Sequence, residues 1–186
     1  SNIEAVMQEV PITFNDVSLS FLPLSHIFER TCGHFGLVAV GATIYYAESI
    51  DTVSQNILEC RPTILISVPR LYQKIQAKVL GQLKGAKKPI FHWALGVGKA
   101  FEQAQQSGSP SFLLAFKRRI ADRLVFAKVR AKTGGRLRFF VSGGAPLGAE
   151  LGLFFKALGL HILEGYGLTE TSPILSCNRL THYRFG

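Results

Sequence analysis

Thr169 and Glu170 stand side by side in the run Gly165-Tyr166-Gly167-Leu168-Thr169-Glu170-Thr171. A threonine hydroxyl can bind a phosphate oxygen, and a carboxylate is the hard oxygen ligand that Mg²⁺ prefers where it bridges phosphates. Tyr166, between two glycines, offers a flat face to a base, and the glycines let a ligand approach the backbone closely. The competing reading of the run is an ordinary glycine-rich turn with a capping threonine. A second run of small residues, Ser142-Gly143-Gly144-Ala145-Pro146-Leu147, follows an apolar stretch and opens a helical pattern. That placement suits a planar ligand and an anion at a helix N-terminus. Neither run is a Walker phosphate loop, since Ala149 rather than a lysine follows Gly148. Neither is a dinucleotide fingerprint, since Glu170 occupies the third glycine position.

Such runs need strands to present them. The hydropathy pattern predicts strands at 17–22, 43–46, 63–68, 137–141 and 161–164. It predicts helices at 27–40, 52–59, 69–83, 90–105, 112–132 and 147–158. Pro62 punctuates before the third strand, Pro69 suits the first turn of a helix, and Gly134 and Gly135 stop the long helix before them. Strands alternating with helices give an α/β fold class, a layered and mostly parallel sheet with flanking helices. Ligands of such sheets bind at the carboxyl ends of the strands, which is where both glycine runs are expected.

The totals narrow the partners. At 186 residues and 47% hydrophobic, the chain can bury one domain-sized core. Its net charge of +9 points to anions. Cys32, Cys60 and Cys177 fit neither a disulfide framework nor a zinc site, and His34, His92, His161 and His182 lack metal-ligand spacing. No stretch reaches the roughly 20 apolar residues of a membrane span, and no signal-peptide pattern opens the chain, so a cytoplasmic setting is expected.

The charge is uneven. Residues 70–138 carry sixteen Lys/Arg against only Glu102 and Asp122, whereas the remainder of the chain is net acidic. Within that segment Phe112, Phe116, Ile120 and Leu124 recur four apart, with Lys117, Arg118, Arg119 and Arg123 in other positions. This is a basic amphipathic helix, and two readings stand. Its apolar stripe packs on the core, or it docks on an anionic membrane surface, peripheral on the inner face of the membrane. No nucleic acid is expected, because the aromatics follow helical spacing rather than interleaving with the cations.

Three blocks then occur in order: Leu22-Pro23-Leu24-Ser25-His26-Ile27-Phe28-Glu29-Arg30, Ser67-Val68-Pro69-Arg70-Leu71-Tyr72, and the stretch 135–147 that ends in the second glycine run. With Gly165 to Thr171 they resemble the adenylate-forming, AMP-binding superfamily, and within it the long-chain fatty acid–CoA ligases of bacteria. The resemblance covers nearly the whole chain. It implies that 1–186 is part of a large N-terminal domain, with 69–135 a basic, mostly helical insertion. The implied activity is ATP-dependent conversion of a fatty acid, through an acyl-adenylate, to acyl-CoA, with ATP/AMP, Mg²⁺ and CoA as ligands.

The resemblance also implies residue roles. Tyr166 would stack on adenine, with Gly143, Gly144, Ala145, Glu164 and Gly165 lining the base. Thr169 would bind the α-phosphate and Glu170 the Mg²⁺. His26 would lie where acyl chain and nucleotide meet; without the resemblance it reads as a capping or core histidine. Val68, Pro69 and Gly167 would wall the acyl pocket with His26, though core packing explains Val68 equally well. The family's phosphate loop is expected before residue 1, and its ribose-binding aspartate, hinge and C-terminal domain after Gly186. On that expectation the isolated chain is inactive. The alternatives are a relative acting on another carboxylic acid and a noncatalytic basic binding module.

Overall fold

Val17–Ser20 (β1), Thr43–Tyr46 (β2), Ile64–Ser67 (β3), Phe139–Ser142 (β4) and His161–Gly167 (β5) pair in parallel, in a computed structural model that describes residues 2–185. Ile174–Cys177 (β6) closes one edge antiparallel to β5, giving the order β2-β1-β3-β4-β5-β6. Ile64, Leu65, Ile66, Phe139 and Phe140 are all buried, as strands covered on both faces require.

One face is covered by α1 (Asn2–Glu9) and by a π-type helix, Glu29–Phe35, that runs into α2 (Gly36–Ala39). Val10, Leu37, Ile66 and Leu163 pack there. The other face carries α3 (Val53–Cys60), α4 (Pro69–Gly81), α5 (Lys87–Ser107), α6 (Phe112–Ala121), a π-type turn over Asp122–Phe126, α7 (Ala127–Ala131) and α8 (Ala149–Ala157). Its core includes Leu65, Tyr72, Phe140, Phe155 and Ile162. Strand order reverses between β1 and β3. The chain leaving β1 therefore turns onto the first face, and the chain leaving β3 onto the second. Such a reversal is where parallel sheets open a crevice for ligands.

The mostly parallel α/β architecture expected from the sequence is the one observed, with four departures. α1 and β6 were not anticipated. β5 extends to Gly167, because Gly165 and Tyr166 pair with Cys177 and Ser176 of β6, so the first glycine run begins as strand and turns only at Thr169–Thr171. Two of the expected helices, 27–40 and 112–132, contain π-type segments, Glu29–Phe35 and Asp122–Phe126. α5 starts at Lys87, with Pro89 in its first turn, where a missing N–H leaves no intrahelical bond unmade. Among the described residues no helix is long and apolar enough to cross a membrane.

The amino ends of β1, β3 and β4 meet at one buried carboxylate. Asp16, 2% exposed, accepts from the Thr63 hydroxyl at 2.6 Å, the Thr13 amide at 2.8 Å and Arg138 Nη1 at 2.6 Å. Thr63 Oγ1 in turn accepts from the Val17 amide at 2.9 Å, and Arg138 Nη2 donates to the Pro11 carbonyl at 2.8 Å. Burial alone would raise the Asp16 carboxyl; Arg138, Thr63 and Thr13 outweigh it and hold it below the usual range.

Two more cations of the basic segment close α8. Arg118 donates to the Ala157 carbonyl at 2.8 Å with its guanidinium over the Phe126 ring, and Arg130 donates to the Leu158 carbonyl at 3.1 Å while gripping Asp122. They satisfy carbonyls that a helix end leaves without partners and lie at the negative end of its dipole. Lys156 and Glu102, both buried, pair at 3.0 Å and tie α8 to α5.

Arg138→Met should cost roughly 2–3 kcal/mol in urea unfolding at neutral pH, less than a fully buried pair because Arg138 is partly solvated. The Asp16 contribution is present above its unfolded pKa of about 4 and disappears as pH falls through the lower folded value. The variant should therefore lose acid-side pH dependence as well as stability. An unchanged stability profile between neutral and acid pH would contradict the clamp.

Candidate functional site

A cavity of about 290 Å³ opens at the carboxyl ends of β3, β4 and β5, on the face covered by α1 and the π-type helix. Its interior is apolar: Val6, Met7 and Val10 from α1 and the turn after it, Ile66 from β3, Leu163 from β5 and Ile174 from β6. Its mouth carries His26, Gly144, Tyr166, Thr169 and Glu170, all exposed to solvent. Gly143, Gly165 and Gly167 complete the lining. Residues far apart in sequence thus meet because adjacent parallel strands end together.

The turn after β5 separates the two threonines. Thr171 does the structural work: its hydroxyl donates toward the Leu168 carbonyl at 2.9 Å and the Pro173 carbonyl at 2.8 Å, and accepts from the Leu168 amide at 3.0 Å. The capping threonine is therefore Thr171. The side chains of Thr169 and Glu170 have no hydrogen-bond or ion-pair partner among the described residues. Tyr166, 61% exposed, leaves much of its ring to solvent.

The glycines divide in the same way. A Cβ on Gly167 would collide with the Pro173 carbonyl just before β6, and one on Gly143 would strike the Phe28 ring at 2.7 Å. At Gly165 the nearest atoms stand at 3.8 Å and the backbone is not left-handed. The fold demands glycine at 143 and 167 but not at 165, whose bare backbone faces the cavity.

The other expected residues flank the cavity. Glu164 Oε1 accepts from the Leu147 amide at 2.9 Å and fastens the Gly143 to Leu147 loop to β5. Ala145 lies exposed on that loop, outside the lining. His26 Nδ1 accepts from the Phe28 amide at 3.2 Å, so the ring caps the turn that leads into the π-type helix and also borders the mouth. Val68 and Pro69 do not line the cavity; Val68 follows β3 and caps α4, Pro69 begins α4, and a Cβ on Gly144 would lie 3.6 Å from Val68 Cγ1. The walls that sequence reasoning missed come from α1 and β6. Ile3, Val6, Met7 and Val10 recur at helical spacing and are the overlooked signal.

Glu29, on the π-type helix, is 1% exposed, and its Oε1 accepts from Ser20 Oγ at 2.5 Å. Its Oε2 has no partner among the described residues. A Cβ on Gly33 would meet the carboxylate at 2.5 Å, so the glycine makes room for it. Burial pushes the Glu29 carboxyl up to about 7, against the pull of the Ser20 bond. Burial, with the Glu29 and Cys177 charges nearby, pushes the Cys32 thiol up to about 12.

Two outcomes follow from these environments. Gly165→Ala should melt within about 0.5–1 kcal/mol of the parent, whereas Gly167→Ala should lose roughly 2 kcal/mol or more; equal losses on thermal unfolding would refute the distinction. Because the Glu29 carboxyl is raised, its contribution is present below its unfolded value and lost as pH rises through about 7. Glu29→Gln should remove that decline and be the more stable form at about pH 8, by at most ~3 kcal/mol. Parallel stability curves for the two proteins from acid to mild alkali would show that Glu29 does not titrate in this range.

Residues 1–185 match the AMP-binding enzyme family. The chain is 36% identical over 169 residues to the long-chain-fatty-acid–CoA ligase FadD15 of Mycobacterium bovis, covering 90% of this chain and 28% of that protein. It is 37% identical over 184 residues to the peroxisomal long chain acyl-CoA synthetase 6 of Arabidopsis thaliana, covering 95% of this chain and 24% of that protein. Its fold superposes on the N-terminal domain of FACL13 from Mycobacterium tuberculosis with a TM-score of 0.61 at 19% identity, over 96% of this chain and 33% of that one. The chain thus spans about a quarter of the length of the curated relatives it matches. On the family match and the sequence identities together, this chain belongs to the AMP-binding enzyme family.

Proposed function

We propose that the chain forms the acid- and nucleotide-binding part of a fatty acid–CoA ligase. One observation carries this reading. A single cavity joins an apolar interior to a mouth where a tyrosine ring, a hydroxyl and a carboxylate stand without competing partners. In the first step of the reaction the fatty acid carboxylate attacks the α-phosphate of ATP and pyrophosphate leaves. In the second, the CoA thiolate attacks the acyl carbonyl of the acyl-adenylate and AMP leaves.

The residues suit those steps. Val6, Met7, Val10, Ile66 and Leu163 accept the alkyl chain but offer a carboxylate no donor, so the acid settles with its charged end at the mouth. Tyr166 stacks on adenine, and Gly143, Gly144, Ala145, Glu164 and Gly165 bound the base, with Gly165 allowing the closest approach. Thr169 donates to the α-phosphate. Glu170 fits Mg²⁺, being an exposed carboxylate with no partner of its own, and the ion when bound offsets the negative charge of the phosphates. His26 stands between interior and mouth and orients the reacting carboxylate. Gly167 belongs to the acyl wall directly, and Val68 and Pro69, outside the cavity lining, support the acyl pocket from behind it. The same reading takes the fatty acid from an anionic membrane surface reached through the basic segment 70–138.

The test is acid-dependent ATP–pyrophosphate exchange on the complete polypeptide, comparing palmitate with acetate and benzoate. Palmitate should drive exchange, and Glu170→Ala should lower it about 100-fold or more. Gly165→Leu should weaken ATP binding with the fold intact. Exchange driven only by acetate or benzoate would overturn the fatty acid, and no exchange with any acid would overturn the ligase reading.

A further inference from the structure

Ser67 and Ser142 end neighbouring strands in register, and both are fully buried. Side chains alternate along a strand, so a residue two places on repeats the direction. Leu65 and Phe140 pack into the layer of Tyr72 and Phe155, whereas Ile64, Ile66 and Phe139 pack into the layer of Val10 and Leu37. Ser67 and Ser142, two places beyond Leu65 and Phe140, therefore face the Tyr72 layer side by side. Glu164 continues the row on β5, opposite Ser142 and two places beyond Ile162. The cavity lies against the other face of the sheet, and neither serine lines it.

Both serine hydroxyls are without a hydrogen-bond partner among the described residues. A buried hydroxyl costs stability unless something satisfies it. The spacing identifies what does. Neighbouring strands lie about 4.8 Å apart, so two facing serine oxygens in register stand at about that separation. That is too far for a direct bond, which needs roughly 3 Å, but one water spans it with two bonds of about 2.8 Å. A buried water takes about three partners. The Tyr72 hydroxyl supplies the third: it donates to the carbonyl of Val141, the residue before Ser142, at 2.6 Å and keeps its oxygen lone pairs for another donor.

We propose that Ser67 and Ser142 hold one buried water between β3 and β4, and that through it they position the Gly143 to Leu147 loop. The loop leaves β4 at Ser142. The Gly143 amide donates to the Ser67 carbonyl at 3.2 Å, and Glu164 fastens the far end through the Leu147 amide at 2.9 Å. The water adds a side-chain tie where the loop begins. The serines are positioning residues, since they act on the nucleotide only through the loop. That role rests on the reading in which the loop bounds the base; the water stands on the buried hydroxyls alone.

Ser67→Ala, Ser142→Ala and the double variant of the complete polypeptide test both parts. Removing one hydroxyl leaves the other and the water short of a partner, whereas removing both substitutes apolar groups of nearly the same shape. Each single variant should therefore lower the urea midpoint, and the double should fall no further than the lower single. The KM for ATP in palmitate-driven exchange should instead rise about 3-fold or more in all three, with kcat changed less than about 2-fold, because the tie is gone in each. A KM that recovers with stability in the double variant would overturn the positioning role. A high-resolution crystal structure of the parent should show a water oxygen within about 3.2 Å of both Oγ atoms, lost in each variant. No such oxygen, or midpoint losses that simply add in the double variant, would overturn the water. No exchange by the parent with any acid would sink the ligase reading and leave the midpoints and the crystal structure to decide the water.

Discussion

The register of the sheet depends on the Asp16 carboxylate. In a strand buried on one face, hydropathy fixes register, because a one-residue slip turns apolar side chains to solvent. Here β3 is covered on both faces, and Ile64, Leu65 and Ile66 would be nearly as well buried after a slip. The directional bonds at the amino ends discriminate instead: Asp16 to Thr63 and Arg138, Thr63 to Val17, and the Arg138 amide to the Thr63 carbonyl at 2.7 Å. A slip would leave a buried carboxylate without its donors. With the register held, Ser67 falls opposite Ser142 and Ser142 opposite Glu164, which puts Glu164 within reach of the Leu147 amide. The loops of the site are thus positioned by contacts at the other end of the same strands.

The reversal of strand order decides which residues share the cavity. The segment after β1 turns onto the face of α1 and carries His26, Phe28 and Glu29 over the carboxyl ends of β3 and β4. The segment after β3 turns the opposite way, so Val68 and Pro69 enter the layer of Tyr72. Tyr72 then fastens α4 back to the sheet, its hydroxyl donating to the Val141 carbonyl at 2.6 Å and its ring meeting Phe140 and Phe155 edge-on. Two blocks that look equivalent in the sequence, each following an apolar strand, therefore reach opposite sides of the sheet.

What was legible in the sequence was local. Apolar runs bounded by glycine and proline gave the five parallel strands, and small residues after 141 and 164 marked the end at which ligands bind. What was not legible depended on distant partners. β6 is four residues long, and its pairing to β5 appears only when the chain after Ser172 folds back; that pairing turns Gly165 and Tyr166 into strand. The π-type turn at Glu29 depends on room at Gly33 and on Ser20, nine residues away. The stripe of Phe112, Phe116, Ile120 and Leu124 shows why periodicity is ambiguous. It reports that a helix has an apolar side, but α6 has two, and only the packing of α5 and α8 decides which one the core takes.

Of the buried side-chain oxygens without a partner among the described residues, Glu29 Oε2, Ser67 Oγ and Ser142 Oγ lie near the carboxyl ends of the strands, and Asn56 Oδ1 lies apart on α3. At the amino ends of β1, β3 and β4, the Asp16 cluster satisfies its donors and acceptors with one another. At the carboxyl ends, the last residues of the same three strands behave differently. Ser67 Oγ and Ser142 Oγ have no partner among the described residues, and Ser20 holds one oxygen of a Glu29 carboxyl whose other oxygen has none. Each such group costs about 1–3 kcal/mol, so an arrangement chosen for stability alone would replace it with an apolar isostere. The side chains of Thr169, Glu170 and Tyr166, also at that end, likewise have no hydrogen-bond or ion-pair partner among the described residues. Folding has satisfied the polar groups at one end of these strands among themselves and left hydrogen-bonding capacity unspent at the other.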